Sequence, residues 1–189
     1  YFRPLVEAMK ESGVEEVVFL SVQGAERSKV IPHNKIERLI QEYGLPYIFL
    51  RPSYFMQNLT TTLLPQIREE NRITLPSGNA KFNWIDVQNI GEATAILLGR
   101  FEEFKNQACE LTGYENLNFA AVAEMMSEVL KQPIEYRSMN PFHFYFWKRK
   151  QGVKKGFALV MTLLHFLPRL QAEPEVSTFY EELTGKEPI

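Results

Sequence analysis

His33-Asn34-Lys35-Ile36-Glu37-Arg38-Leu39-Ile40-Gln41-Glu42-Tyr43-Gly44-Leu45-Pro46-Tyr47-Ile48-Phe49-Leu50-Arg51-Pro52 changes its hydrophobic period halfway along. Ile36, Leu39, Ile40 and Tyr43 recur at i, i+3, i+4 and i+7, the stripe of an amphipathic helix, and Gly44 stands where such a helix stops. Tyr47-Ile48-Phe49-Leu50 is instead an unbroken apolar run, the form of a strand buried on both faces, and it ends at Arg51-Pro52. The same succession occurs just upstream. Leu5, Val6 and Met9 share a helical face in residues 1–12, Gly13 ends that helix, and Val17-Val18-Phe19-Leu20 follows as another buried strand. Helix–strand–helix–strand with short connections is the sequence form of parallel α/β winding.

Downstream, a helix is expected from Tyr54 to Glu70, then short strands at Arg72–Leu75 and Phe82–Ile85 around the turn Pro76-Ser77-Gly78-Asn79. Asp86 is a suitable N-cap for a helix through Leu98, and Cys109–Thr112 reads as a strand. Asn118 caps a further helix with Phe119, Val122, Ala123, Met126 and Val129 facing inward. Ile134–Tyr136 is a last strand, and the chain after Asn140 is helical or irregular and rich in aromatics.

The 189 residues carry a formal charge of −2, with 45% apolar and 23% charged residues, which fits a globular chain with its own core. That balance argues against a nucleic-acid partner held through its phosphates. A single cysteine, Cys109, excludes an internal disulfide framework and fits a reducing, cytoplasmic setting. No signal-peptide pattern opens at Tyr1-Phe2-Arg3-Pro4. The longest apolar run, Phe157 to Leu167 with His165 inside it, falls well short of the roughly 20 residues of a membrane span.

Three ordered segments carry a resemblance. The first is Pro32-His33-Asn34-Lys35-Ile36-Glu37 followed by Tyr43 to Leu50 and then Arg51-Pro52-Ser53-Tyr54-Phe55-Met56-Gln57-Asn58. The second is Trp84-Ile85-Asp86-Val87-Gln88-Asn89-Ile90-Gly91; the third is Glu110 to Asn118, with Pro133-Ile134-Glu135-Tyr136 after it. Together they resemble the NmrA-like family of atypical short-chain dehydrogenase/reductases. The resemblance implies an α/β fold, a Rossmann-type parallel sheet with a smaller α+β substrate region. Residues 1–112 would belong to the dinucleotide-binding part and 113–189 to a mainly helical substrate region. The family's glycine-rich phosphate loop has no counterpart here. The chain is therefore expected to be the C-terminal two-thirds of a longer protein, with Val17–Leu20 left as a sheet edge through which copies could associate.

The resemblance also implies a cofactor, NAD(P) with NADP foremost, and places candidate residues at strand ends. Ser21 stands where the wider superfamily keeps a hydroxyl beside the reacting carbonyl. His33 matches that superfamily's lysine and Lys29 its tyrosine, so the usual proton donor is absent and His33 becomes the catalytic candidate. Ser21, His33, Pro52 and Phe55 are the expected cofactor contacts. Phe55, Asn58, Trp84 and Tyr114 are the expected substrate wall, with Phe55, Trp84 and Tyr114 facing one cavity. Lys35 reads as part of a solvated charged face, and for Glu37 that reading stays open. No metal is expected: Asp86 and Glu92 lack ligand spacing, and His143 and His165 stand apart.

Pro141 to Trp147 followed by Lys148-Arg149-Lys150 suggests stacking on single-stranded nucleic acid, a membrane-surface helix, or a packed wall beside a solvated basic triplet. The near-neutral charge favours the packed wall, with a small molecule as partner and neither nucleic acid nor membrane. The function implied is an NAD(P)-dependent oxidoreductase acting on a small carbonyl or quinone. The alternative is a non-catalytic NAD(P)-sensing or protein-binding module.

Overall fold

The computed structural model describes residues 2–27 and 31–189. Its elements run α1 (Phe2–Glu11), β1 (Val17–Leu20), α2 (Pro32–Glu42), β2 (Tyr47–Pro52), β3 (Tyr54–Phe55), α3 (Leu64–Glu70), β4 (Arg72–Leu75) and β5 (Lys81–Ile85). They continue with α4 (Val87–Gly99), α5 (Phe101–Phe104), β6 (Gln107–Leu111), β7 (Asn116–Asn118), α6 (Phe119–Leu130), β8 (Glu135–Ser138), α7 (Pro141–Lys150), α8 (Lys155–Phe166) and α9 (Phe179–Thr184).

The chain divides into two units interleaved in sequence: residues 1–55, 84–114 and 176–189 form one, and 56–83 with 115–175 form the other. The sequence reading drew one boundary after residue 112. The chain's return to the first unit at Val176 has a physical reason in buried Tyr180, whose hydroxyl donates to Glu92 Oε2 at 2.7 Å and accepts from Asn89 Nδ2 at 2.8 Å.

In the first unit β1, β2 and β6 form a parallel sheet in that order. The central strand is buried on both faces, as its unbroken apolar run requires. Ile48 and Leu50 face a core shared with Ile90, Ala93 and Leu97 of α4, and Phe49 faces one shared with Val6 of α1 and Leu39 and Ile40 of α2. Helices on both faces of a parallel sheet make the α/β Rossmann-type fold that was expected. β1 is the sheet edge that the resemblance implied, and not a strand buried on both faces. Among the described strands it pairs with β2 alone, and burial falls along it until Leu20 is 47% exposed.

The expected helix over 54–70 is confined to Leu64–Glu70. Tyr54 and Phe55 are drawn instead into a parallel pairing with Trp84 and Ile85. Pro65 stands in the first turn of the helix that does form, where its missing N–H costs nothing. β4 and β5 do not pair across the Pro76–Asn79 turn: β4 pairs with β8 and residues 81–83 of β5 with β7. Asp86 and Asn118 cap as predicted, accepting from Gln88 N and Ala121 N. Val129 is 79% exposed rather than inward, because α6 packs through its first turns, at Phe119, Val122 and Ala123.

The second unit is built around aromatic contacts. Phe82 meets Phe119 edge-on with centroids 5.1 Å apart, and the His165 ring lies about 6 Å from both. Phe144 of α7 is fully buried, and Lys148 is buried with its ammonium over the Trp147 ring. The expected solvated basic triplet is thus split: Lys148 turns inward while Arg149 and Lys150 remain exposed.

Candidate functional site

Parallel strands in register deliver their carboxyl ends to one place, which in α/β sheets is where ligands bind. Leu20 is paired with Leu50 and Pro52 with Leu111, so Ser21, Arg51-Pro52 and Thr112-Gly113 follow along one edge. The backbone continues the ladder there: Ser21 N donates to Leu50 O, Gln23 N to Pro52 O and Ser53 N to Leu111 O.

A charged group that ends a buried strand needs a partner, and Arg51 finds one in Glu37. Its Nε donates to Glu37 Oε1 at 3.0 Å and its Nη2 to Oε2 at 2.7 Å, while Nη1 reaches Glu26 Oε2 at 2.7 Å. Glu37 therefore belongs to the strand ends, not to a solvated face, and its carboxylate is 3% exposed as a residue. Lys35, by contrast, is exposed as read. The hydrogen bonds from Arg51 to Glu37 hold the guanidinium pKa above its ordinary value against the opposing effect of burial.

Ser21 completes the group. Its Oγ donates to Glu37 Oε1 at 2.5 Å, which uses the one proton the hydroxyl has. Toward a ligand it can then only accept. Ser21 thus stands at the strand end as expected, with its proton committed to the Glu37 carboxylate.

His33, in the first turn of α2, is half-buried, its ring 6.2 Å from that of Phe19. Among the described residues its imidazole has no hydrogen-bond partner. Lys29, the position matched to the superfamily's tyrosine, lies outside the described residues. Asn34, next to His33 and one turn before Glu37, is buried, and among the described residues its Oδ1 has no hydrogen-bond partner. A buried orphan acceptor is rare, and it asks for a donor from beyond the described residues. Sequence reasoning missed Asn34, Glu37 and Arg51. The usable signals were an arginine ending a buried strand and the polar pair Asn34/Glu37 at i, i+3 beside the apolar stripe.

The remaining candidates do not converge. Pro52 is buried at the strand end. Tyr54 is in register with Trp84, and their rings meet edge-on at 4.9 Å; Phe55 is in register with Ile85 and packs on the sheet core. Alternation along a strand puts Phe55 and Trp84 on opposite faces, so the single cavity expected for Phe55, Trp84 and Tyr114 is not formed. Tyr114 is 60% exposed. Asn58 lies in the second unit, where its carbonyl accepts from Leu63 N. Thr112 exchanges hydrogen bonds with the Ser177 backbone, tying the C-terminal segment to the strand end. Cys109 is buried in the core, and desolvation raises its thiol to about 11, so it is inert.

Three carboxylates, Glu26, Glu37 and Glu110, act on the one guanidinium of Arg51. Such a group repels phosphate and favours uncharged hydroxyls and amides.

The chain is 28% identical over 185 residues to prestalk A differentiation protein A of Dictyostelium discoideum, covering 98% of this chain and 60% of that one. To the NAD(P)H azoreductase of Xenophilus azovorans it is 31% identical over 136 residues, covering 70% and 47%. It thus spans about three-fifths or less of these relatives' length. Among solved structures, an NADPH-dependent quinone oxidoreductase from Escherichia coli, complexed with NADPH, superposes with a TM-score of 0.85 at 17% identity, covering 100% of this chain and 67% of that one. That likeness shows the fold. The family model described as NmrA-like matches residues 3–147, across the helix–strand pairs, the Glu37–Arg51 network and the capped helices alike, and the chain belongs to the NmrA-like family.

Proposed function

We propose that this chain forms the nicotinamide- and substrate-side part of an NAD(P)-dependent oxidoreductase that reduces a small carbonyl or quinone. The observation that carries the reading is the buried acceptor Asn34 Oδ1, unpartnered among the described residues and one turn from the Ser21–Glu37–Arg51 network at the carboxyl end of a parallel sheet. The dinucleotide, when bound, supplies the hydride. The chain's own part is orientation. Asn34 Oδ1 would accept a hydrogen bond from a ribose hydroxyl or the carboxamide, and Ser21 Oγ would accept another. His33 would hold a hydroxyl through its imidazole and could exchange a proton with it. Glu37 and Arg51 fix Ser21 and the start of α2 against the strand ends, so that these groups stay in place without a ligand.

The second reading, a non-catalytic NAD(P)-sensing module, is favoured by the commitment of the Ser21 proton to Glu37. One experiment separates the two. Full-length protein is titrated with NADPH by fluorescence and then assayed for NADPH oxidation against a panel of quinones and aromatic carbonyls. NADPH is the form to test first because the Escherichia coli neighbour was solved with it. Turnover supports the reductase, binding without turnover supports the sensor, and no binding overturns both.

A further inference from the structure

Helix α8 is inside out. The residues it buries are Ala158, Met161, Thr162 and His165, at i, i+3, i+4 and i+7. The two polar ones among them satisfy themselves within the helix: Thr162 Oγ1 donates to Ala158 O at 2.8 Å, and His165 Nδ1 lies 2.7 Å from Met161 O. The large apolar side chains lie on the opposite half of the circumference. Phe157 is 55% exposed, Val160 57%, Leu163 41% and Leu164 48%. A surface helix of a water-soluble fold has the reverse pattern. On α7, Phe142 and Phe146, one turn apart, are also exposed.

Charge says what covers this face. From Pro141 to Ala172 there is no Asp or Glu, while six residues are Lys or Arg, in a chain whose net charge is −2. Four of them, Arg149, Lys150, Lys154 and Lys155, are exposed and cluster around the connection between α7 and α8. Large apolar side chains beside clustered cations on a short helix pair are the chemistry of an anionic lipid interface. Among the described residues no helix is long and apolar enough to cross a membrane, so the pair would lie in the interface plane. A second copy is a poorer occupant, since face-to-face pairing would set like charges against each other. The overall charge balance hid this feature because the acids are elsewhere in the chain.

We infer that the α7–α8 pair is a peripheral membrane-docking surface that inserts the apolar face of α8 into an anionic bilayer and holds the headgroups with Arg149, Lys150, Lys154 and Lys155. This does not rest on the reading of the dinucleotide site.

The test is flotation of full-length protein with vesicles of phosphatidylcholine alone and of phosphatidylcholine with one-quarter phosphatidylglycerol. Binding is expected to the anionic vesicles, weakening as salt is raised. Lys154→Gln with Lys155→Gln should weaken it roughly twenty-fivefold, the product of about fivefold per charge. Val160→Glu with Leu164→Glu should abolish it while the circular dichroism spectrum and melting temperature stay unchanged, since both positions face solvent. Failure of the wild-type protein to float with anionic vesicles at low salt overturns the proposal. So does undiminished binding by the Val160/Leu164 variant, or a lipid-free doubling of mass by light scattering that this variant abolishes, which would assign the face to a second copy.

Discussion

Glu37 and Arg51 face each other through two parallel hydrogen bonds, Nε to Oε1 at 3.0 Å and Nη2 to Oε2 at 2.7 Å, with both side chains largely withdrawn from solvent. The pair joins the second turn of α2 to the end of β2, and the Ser21 hydroxyl joins the end of β1 to the same carboxylate. Bidentate geometry is what lets a buried ion pair offset the loss of hydration.

Glu37→Gln removes the charge and leaves Arg51 with Glu26 at the exposed rim. The expected loss of stability is about 3 kcal/mol, read from the urea midpoint at unchanged slope. Combining Glu37→Leu with Arg51→Met should recover a large part of that loss, because the uncompensated charge is then gone. A loss under about 0.5 kcal/mol for Glu37→Gln would show that the pair is not buried in solution.

Asn34→Ala separates ligand binding from folding. Removing an acceptor with no partner among the described residues takes none of their hydrogen bonds away, so the melting temperature without ligand should not fall by more than a surface change would. NADPH affinity of the full-length protein should fall by about 1 kcal/mol, roughly fivefold, and His33→Ala should do the same. Isothermal titration of both variants checks this, and unchanged affinity in either removes that residue from the site.

His165 sets an acid limit. Burial holds its pKa down from 6.5 to about 4, partly opposed by the hydrogen bond to Met161. Unfolded chains therefore bind a proton that the folded chain refuses, so this residue's stabilisation is complete above pH 6.5 and falls as the pH drops toward 4. The loss over that range is about 3 kcal/mol. His165→Met should flatten the dependence of stability on pH between 6.5 and 4, measured by denaturation at stepped pH.

Tyr180→Phe tests the return of the chain to the sheet unit. The ring stays, and two hydrogen bonds, to Asn89 and Glu92, are lost. The expected cost is about 2 kcal/mol, with the Asn89 amide left short of a partner. A variant with wild-type stability would show that the segment from Val176 docks through packing alone.

The sequence by itself determined the local elements and the class of fold. A change of period from 3.6 to an unbroken run, punctuated by Gly13 and Gly44, is enough to place helices and buried strands, because each depends on neighbours in the chain. The capping roles of Asp86 and Asn118 were legible for the same reason. Tertiary structure decided what depends on partners distant in sequence. It drew Tyr54 and Phe55 into a strand by pairing them with Trp84 and Ile85, and so split a predicted pocket across two faces. It buried Glu37 because Arg51 and Ser21 converge on it. It also turned α8 outward: the helix's own sequence is apolar nearly all round, and only packing could decide that Ala158 and His165 face the protein while Phe157 and Leu164 do not.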